Sequence, residues 1–217
     1  MRYACDADEV LCRRHAHVNA IDGASRICRC AAVGRNVFPA SDHRQQDVTM
    51  VRYPTKVESL IGLISDTHGL VRPEALEALK GVDQILHAGD VGSSEVLVAL
   101  RSIAPVIAVR GNNDKGQWAS ELPDWEVLEV GVVSIYMLHD VKGIDLNPAA
   151  AGFQVVVSGH SHKPAVDERK GVLYVNPGSA GPRRFNLPVS VARLTVSGEA
   201  ISAELIELNI RGTCDNS

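Results

Sequence analysis

The sequence predicts an α/β domain in which two β-sheets pack face to face with helices on the outside. Three observations favour this class. Short, continuously apolar runs without a helical period are typical of strands that are buried on both faces. In the first half of the domain these runs alternate with helical segments, which implies parallel crossovers. In the second half, apolar runs joined by glycine-containing turns indicate antiparallel hairpins.

The first half predicts strands and helices in alternation. In chain order these are the strand "SLIGLIS" (59–65), the helix "RPEALEALKGV" (72–82), the strand "DQILHAGD" (83–90), the helix "SSEVLVALRSI" (93–103) and the strand "APVIAVRGNND" (104–114). Proline at position 73 suits a helix start and Gly81 suits its end, while Ser93 or Ser94 caps the second helix. The pattern therefore predicts a parallel sheet.

The second half predicts more antiparallel structure. Its segments are two strands that turn near Gly131 in "WEVLEVGVVSIYMLHD" (125–140), a short helix "NPAAAGF" (147–153), the strand "QVVVSGH" (154–160), a hairpin that turns at Lys170 and Gly171, and a last hairpin that turns at Ser197 and Gly198. These strands supply a second sheet.

The first 49 residues differ from the rest of the chain. They carry seven Arg and no Lys, whereas the remainder has nine Arg and six Lys, and they show no sustained periodic pattern. We expect a poorly ordered extension over residues 1–49 and one domain over residues 50–217. Because Met50 directly precedes the first organised sequence, the natural start can lie there. A zinc site from Cys12, His15, Cys28 and Cys30 is conceivable, but its spacings lack the usual Cys-x-x-Cys pairs.

Composition excludes several function classes. The formal net charge of −4 gives no bulk attraction to nucleic acid, and aromatic residues make up only 4% of the chain, so strong nucleic-acid binding is not expected. No apolar run approaches the roughly 20 residues that span a bilayer, and the N-terminus lacks the apolar core of a signal peptide. We therefore expect a cytoplasmic protein without a membrane partner.

Each strand end of the domain is followed by side chains that can bind a metal. They are Asp66 and His68 in "SDTHG", Asp90 in "HAGD", Asn112, Asn113 and Asp114 in "RGNND", His139 in "YMLHD", and His160 and His162 in "SGHSH". Ligands gather beyond the carboxyl ends of strands in such folds. Residues i and i+2 of an extended segment point to the same side, so Asp66 and His68 can grip one ion.

Each of these residues has an ordinary structural explanation when it is taken alone. An Asp or Asn after a strand is usually a turn former, and His87 in "LHAGD" is expected to be a structural or supporting histidine. The recurrence of usable ligands in five loops favours a metal site instead. Mixed Asp, His and Asn ligands suit Mn, Fe, Co or Zn, and the lack of thiolate argues against a closed structural zinc site.

The ordered series "SDTHG", "AGD", "GNND", "LHD", "SGHSH" and "NPGS" resembles the calcineurin-like metallophosphoesterases, in particular their small single-domain phosphodiesterases of bacteria and archaea. The resemblance covers about Leu60 to Leu208. It implies a four-layer αββα sandwich of two mixed sheets flanked by helices, with a dinuclear metal site at the strand ends. One metal would be held by Asp66, His68 and His162, the other by Asn112, His139 and His160, with Asp90 bridging them.

That resemblance implies a phosphodiesterase that uses a hydroxide between two divalent ions to attack a small phosphodiester. Manganese is the expected metal, with Ni, Co, Fe or Zn as alternatives, and Asn112 and His139 would also face the substrate. We expect each oxygen of Asp90 to serve one ion. Asn113 and Asp114 are expected to support catalysis, Asp114 by accepting a hydrogen bond from a ligand histidine. Arg183 or Arg184 would shape the wall of the substrate pocket, although surface arginines usually have no specific role.

Two residues depart from the family pattern. Many members carry His where this chain has Asn113, and an amide cannot protonate a departing alkoxide at neutral pH. The family often has Gly where this chain has Asp140. The charge of Asp140 would tune metal affinity, or its side chain would point away from the site.

Some proteins of this fold, including a retromer subunit, are interaction scaffolds that lost metal ligands, so a catalytically weak scaffold is the alternative function. The sequence decides neither the substrate nor whether the protein is a homodimer.

Overall fold

The computed structural model describes residues 58–210. The predicted N-terminal extension, the conceivable zinc ligands within it and the proposed start at Met50 all lie outside the described residues. So does Cys214, and none of the residues in the described range is a cysteine.

Within residues 58–210, ten strands and two α-helices follow one another in the predicted order, without the third helix predicted at 147–153. The strands are β1 (Ser59–Ile64), β2 (Gln84–His87), β3 (Val106–Ala108), β4 (Trp125–Val130), β5 (Val133–Leu138), β6 (Val155–Val157), β7 (Ala165–Arg169), β8 (Val172–Asn176), β9 (Ser190–Ser197) and β10 (Ala200–Glu207). The helices are α1 (Pro73–Ala78) and α2 (Ser94–Arg101), and short 3-10 helices cover Gln117–Glu121 and Val141–Gly143.

The strands form two mixed sheets of five. The first has the order β10-β9-β1-β2-β3, with β1, β2 and β3 parallel and the β9–β10 hairpin antiparallel to β1. The second has the order β4-β5-β6-β8-β7, with β5, β6 and β8 parallel and antiparallel strands at both edges. Together they confirm the predicted fold class. The parallel strands are neighbours within each sheet, β1-β2-β3 in the first and β5-β6-β8 in the second, so their carboxyl ends can share one edge of the domain.

The main core lies between the sheets. Ile61 and Leu63 of β1 alternate with residues that face the helices, and they pack in one buried cluster with Ile135 and Met137 of β5. Each fully buried side chain of this size contributes roughly 1.5–3 kcal/mol relative to an exposed one. The face-to-face packing holds the loops after both sets of strands at fixed positions.

Both α-helices cover the outer face of the first sheet. Leu79, directly after α1, and Leu100 of α2 are fully buried in a second cluster against Ile64 and Ile85. Helix α1 ends at Ala78, earlier than predicted, and Arg193 of β9 donates hydrogen bonds to the Ala78 carbonyl. An arginine from the sheet thus satisfies a carbonyl that a further helical turn would have used.

The outer face of the second sheet has a different cover. The segment 147–153 is a series of turns, in which Ala151 N–H donates to the Asn147 carbonyl, so the predicted helix "NPAAAGF" is wrong. Phe153 nevertheless packs on Tyr136 and Val156, so the apolar residue that suggested a helix is buried by a turn instead. No helix within residues 58–210 combines the length and the apolar character that a bilayer crossing requires.

Candidate metal centre

All seven predicted ligands lie on loops that follow the carboxyl ends of strands. The loop after β1 carries Asp66 and His68, the loop after β2 carries Asp90, the loop after β3 carries Asn112, the loop after β5 carries His139, and the loop after β6 carries His160 and His162. The contacts described below bring these loops of both sheets together at one edge.

The first group of ligand atoms comes from Asp66, His68 and His162. The Nε2 atoms of His68 and His162 lie 3.4 Å apart, and Nε2 of His162 lies 3.3 Å from Oδ1 of Asp66. Oδ1 of Asp66 is buried and has no hydrogen-bond partner among the described residues, whereas Oδ2 accepts the His160 N–H. Three electron-pair donors that converge in this way fit a bound cation.

The second group comes from Asn112, His139 and His160. Oδ1 of Asn112 lies 3.1 Å from Nε2 of His139 and 3.0 Å from Nδ1 of His160. His139 Nδ1–H donates to the Ala88 carbonyl over 2.7 Å, which directs the electron pair of neutral Nε2 toward the amide oxygen. An amide oxygen and two imidazole nitrogens are again a donor set that fits a divalent ion.

Asp90 lies between the two groups. Its Oδ2 is 3.8 Å from Nε2 of His68 and 3.5 Å from Nε2 of His139, so a single oxygen faces both groups. Oδ1 instead accepts the backbone N–H of Asn113 over 2.8 Å. Each carboxylate oxygen of Asp90 accepts one hydrogen bond from Asn113, so these bonds do not distinguish the two oxygens, and the expectation that each oxygen serves one ion stays a prediction.

Asn113 and Asp114 hold the loops. The side-chain amide of Asn113 donates to Oδ2 of Asp90 over 2.7 Å. The Asp114 carboxylate accepts the backbone N–H of Gly92 and of Gly111, at 2.7 and 2.8 Å. The predicted hydrogen bond from a ligand histidine to Asp114 is wrong, because both carboxylate oxygens bind backbone amides. Asp114 ties the loop after β3 to the loop after β2.

The ligand loops are not extended. Asp66, His68, Asp90, His160 and His162 all have positive φ angles, between 48° and 67°. Among the described residues only Lys170 and Phe185 are other non-glycine residues with positive φ. The expected convergence of Asp66 and His68 through an extended i, i+2 segment is therefore wrong. Left-handed backbone at non-glycine residues costs of order 1–3 kcal/mol each and is concentrated at functional sites.

Two motif glycines permit the close approach of these loops. A Cβ at Gly89 would lie 2.6 Å from Nδ1 of His139, and a Cβ at Gly111 would lie 2.0 Å from the backbone nitrogen of Asp90. Gly89 also has a φ of +87°. Glycine is therefore required at both positions for His139 and Asp90 to sit where they do.

Burial sets the charge state of the first group. It raises the pKa of the Asp66 carboxyl to about 6. Burial, followed by the charge of Arg184, lowers the pKa of His162 to about 4, and burial lowers the pKa of His68. Both imidazoles are therefore neutral at pH 7, the form in which histidine binds a metal.

The second group behaves differently. Burial alone would raise the pKa of Asp90, but its interactions with His139 and Asn113 outweigh burial and hold that pKa below its ordinary value. Burial alone would lower the pKa of His139, yet Asp90 and the Ala88 carbonyl raise it. Asp90 thus remains ionised and stabilises positive charge next to it, which suits a cation site.

His87 was expected to be a structural or supporting histidine, and its contacts are those of a structural one. It is fully buried, and its Nε2–H donates to the Thr67 hydroxyl oxygen over 2.9 Å, because that hydroxyl donates to the Val91 carbonyl. Burial lowers the pKa of His87 to about 3, so it stays neutral. Its position under the loop of Asp66 supports the ligands without belonging to them.

Three neighbours were not assigned a firm role from sequence. Oδ2 of Asp140 lies 3.8 Å from the outer nitrogen, Nε2, of His160, so this departure from the family pattern faces a ligand. Burial is the main reason that the pKa values of His68 and His162 are lowered, and the charge of Arg184 adds to this effect. Ser65 was missed, and its hydroxyl lies 2.8 Å from Oδ2 of Asp66. A serine before a motif aspartate carries no distinctive sequence pattern.

Comparison with known proteins agrees with this geometry. The sequence model of the calcineurin-like phosphoesterase superfamily domain matches residues 60–199, which is more than half of the chain. The chain belongs to the calcineurin-like phosphoesterase superfamily. It is thus a hydrolase of the phosphoesterase class, and the resemblance seen in its motifs is confirmed.

Three relatives illustrate the range of this superfamily. A probable metallophosphoesterase of Methanothermobacter thermautotrophicus is 36% identical over 159 residues, which cover 68% of this chain and 91% of the relative. A phosphodiesterase of Methanocaldococcus jannaschii is 27% identical over 137 residues, or 54% of this chain and 82% of the relative. The structure of vacuolar protein sorting 29 from Cryptosporidium parvum shares the fold, with a TM-score of 0.57 and 21% identity over 70% of this chain and 99% of that one.

A cavity of about 550 Å³ opens beside the second group of ligands in this calcineurin-like domain. Asn112, His139 and His160 line one part of it, and Trp125 and Tyr136 of the second sheet line another. The expectation that Asn112 and His139 face the substrate is consistent with this cavity. Its aromatic wall was not predicted, because the sequence does not show which strand residues border the ligand loops.

Proposed function

We propose that this protein is a phosphodiesterase that hydrolyses a small phosphodiester with the help of two divalent metal ions. The observation that carries the proposal is the placement of Asp90 Oδ2 between two separate groups of ligand atoms, 3.8 Å from His68 and 3.5 Å from His139. One carboxylate oxygen between two such groups suits a pair of ions that share a ligand.

Two divalent ions held by these residues would supply positive charge that neutralises the phosphoryl oxygens and lowers the pKa of water toward neutrality. The chain's own part is to hold the donors rigidly. His139 is oriented by the Ala88 carbonyl, and Asp66 by the His160 N–H, so each presents one defined atom. Asn112 contributes a neutral oxygen, which leaves the positive charge of the centre available to phosphate.

Asn113 favours diesters and good leaving groups over simple alkyl monoesters. Its amide donates to Asp90 and carries no proton that it could release to a departing alkoxide at neutral pH. The reaction therefore depends on a leaving group that departs as an anion. The relative named phosphodiesterase supports this choice between ester classes.

We propose Mn as the native metal, with Ni, Co, Fe or Zn as alternatives, because mixed oxygen and imidazole donors accept all of these ions and metal supply decides among them as much as affinity does. No thiolate is available within residues 58–210, which argues against a closed structural zinc site there. The proposal includes a cytoplasmic location, because five cysteines as free thiols fit a reducing compartment.

The test is hydrolysis of a chromogenic aryl phosphodiester and of the matching monoester by metal-stripped protein, with Mn, Ni, Co, Zn or Mg added back. We expect metal-dependent hydrolysis of the diester that exceeds hydrolysis of the monoester and is lost in His162→Ala and Asn112→Ala. Folded protein without activity in any metal would overturn the proposal and favour the scaffold function instead.

A further inference from the structure

The cavity beside the second group of ligands has an aromatic end. Trp125 begins β4, the edge strand of the second sheet, and its side chain is 56% exposed. It pairs across the sheet with Leu138, the residue before His139, so the indole stands one residue away from a predicted ligand. The same cavity is lined by Trp125, Leu138 and His139.

The indole is held in place by other rings. The ring centroids of Trp125 and Tyr136 lie 5.9 Å apart, and those of Tyr136 and Phe153 lie 5.1 Å apart with nearly parallel planes. The chain has only nine aromatic residues, and three of them form this row. Tyr136 contacts the indole at a tilted angle of 41°, and 56% of the Trp125 side chain stays exposed, so the indole offers a surface on which a flat group can stack.

The charges around the cavity exclude a second phosphate. Asp124 and Asp140 line it, and the cation there, Arg110, already donates from Nε and Nη2 to Oδ1 of Asp124. Asp114 also lines the cavity, with both oxygens bound to backbone amides. The carboxylates would therefore repel an additional anionic group, whereas an uncharged group with hydroxyl donors could hydrogen-bond to them.

We propose that Trp125 forms a subsite for an uncharged aromatic group on the non-leaving side of the substrate, so that the substrate is a phosphodiester in which one ester group carries an aromatic ring, such as the base of a nucleoside. This inference rests on the proposed phosphodiesterase function and names its substrate class. One phosphoryl group binds at the ligand groups, the aromatic group stacks on Trp125, and no further phosphate is accepted in the cavity.

The first experiment compares two diesters with the same leaving group, phenyl 4-nitrophenyl phosphate and methyl 4-nitrophenyl phosphate. Base–aromatic stacking is worth about 1–3 kcal/mol, so Trp125→Ala should lower the phenyl-to-methyl ratio of kcat/KM roughly 5- to 150-fold. Trp125→Phe should retain most of that ratio. Val132→Ala is the matched control, because Val132 is exposed in the turn at the opposite end of the same hairpin and should leave the ratio unchanged.

A second experiment adds a phosphate group to the substrate and tests whether the cavity discriminates against it. Thymidine 5′-(4-nitrophenyl phosphate) should be hydrolysed faster than its 3′-phosphorylated derivative, and Asp140→Asn should reduce the difference. Equal rates for the two compounds would show that the cavity does not discriminate against phosphate and would overturn the exclusion.

A binding measurement separates this inference from the proposed function. In a Trp118→Phe background Trp125 is the remaining tryptophan, and diphenyl phosphate should quench its fluorescence more than dimethyl phosphate does. An unchanged phenyl-to-methyl ratio in Trp125→Ala, or equal quenching by the two diesters, would overturn the subsite. If wild-type protein hydrolyses neither diester, the proposed function fails while the quenching still decides the subsite.

The oligomeric state of Trp125→Ala provides a further check. An equal loss of activity with both diesters, together with a changed oligomeric state, would show that Trp125 belongs to a dimer interface and would overturn the inference.

Discussion

The Nε2 atoms of His68 and His162 lie 3.4 Å apart, and their rings stack with centroids 5.2 Å apart. Both imidazoles are neutral at pH 7, and Nε2 of His162 also lies 3.3 Å from the buried Oδ1 of Asp66. A divalent ion held by these three donors would bind the folded state and not the unfolded chain, so metal binding should stabilise the fold.

We therefore expect Mn at about 100 times its dissociation constant to stabilise the folded protein by about 2.7 kcal/mol relative to metal-free protein. His162→Ala should lose most of that gain, because it removes one donor of the first group. The measurement is the thermal midpoint with Mn and with a chelator. Ser161→Ala, on the same loop, is the control and should keep the full gain, and an equal gain in His162→Ala would contradict the assignment.

Asp66 should make this stabilisation depend on pH. Burial raises its pKa to about 6, so the metal-free folded state holds this proton more tightly than the unfolded chain does. Stability of the metal-free protein therefore falls as pH rises from about 4 to about 6, whereas binding of a divalent ion needs the ionised carboxylate. The stabilisation by Mn should be larger at pH 7.5 than at pH 5.

Asp66→Asn tests the sign of this effect. At pH 7.5 it should stabilise metal-free protein by roughly 1–3 kcal/mol, because it removes a buried charge, and it should abolish the gain from Mn. Urea unfolding with and without metal measures both changes. A metal-free variant that is less stable than wild type at pH 7.5 would show that the buried carboxylate is satisfied without a cation.

Gly89→Ala should disrupt the second group of ligands. The added Cβ would lie 2.6 Å from Nδ1 of His139, so the imidazole must move away from Asn112. Gly81 is the matched control, because its φ of +80° resembles that of Gly89 and nothing lies within 4 Å of an added Cβ. Both variants should lose about 1 kcal/mol through backbone strain.

Metal content distinguishes the two glycine variants. Only Gly89→Ala should bind one ion fewer per chain, measured by elemental analysis after gel filtration. An identical metal content in both would mean that the site tolerates the displacement of His139.

Asn113→His should widen the range of substrates. A histidine there can donate a proton to an alkoxide, and general acid catalysis contributes typically 10²–10⁴-fold, so hydrolysis of alkyl monoesters should rise at least about 10-fold. Asn113→Ala is the control, since it also removes the hydrogen bond to Asp90 but supplies no acid. Equal monoester rates in the two variants would count against the role assigned to the missing proton.

The sequence was most informative where loop residues follow buried strands. The apolar runs locate the strand ends, and parallel strands end at one edge, so the candidate loops could be predicted together with the two sheets. The choice of seven ligands among the loop residues came from the resemblance to the calcineurin-like metallophosphoesterases. The turn at Lys170 and Gly171 was equally predictable, because both residues adopt the positive φ that a two-residue hairpin needs.

What escaped prediction depends on three-dimensional packing. Asp114 was expected to bind a histidine, but the loops after β2 and β3 approach so closely that backbone amides reach its carboxylate first. The left-handed backbone of Asp66 and His68 is imposed by pairing with the loop of Asp90, through His68 N–H and the Asp90 carbonyl. Trp125 lies 13 residues from Asn112 along the chain, and only the β4–β5 pairing brings it beside His139.

The most direct test of the two-ion centre is metal stoichiometry. Metal-stripped protein is titrated with Mn, and bound ions per chain are counted in wild type, His162→Ala and Asn112→Ala, with diester hydrolysis measured on the same samples. The account predicts two ions per chain in wild type, fewer in each variant, and activity only when both are bound. A folded wild-type protein that binds one ion or none at full activity would contradict it.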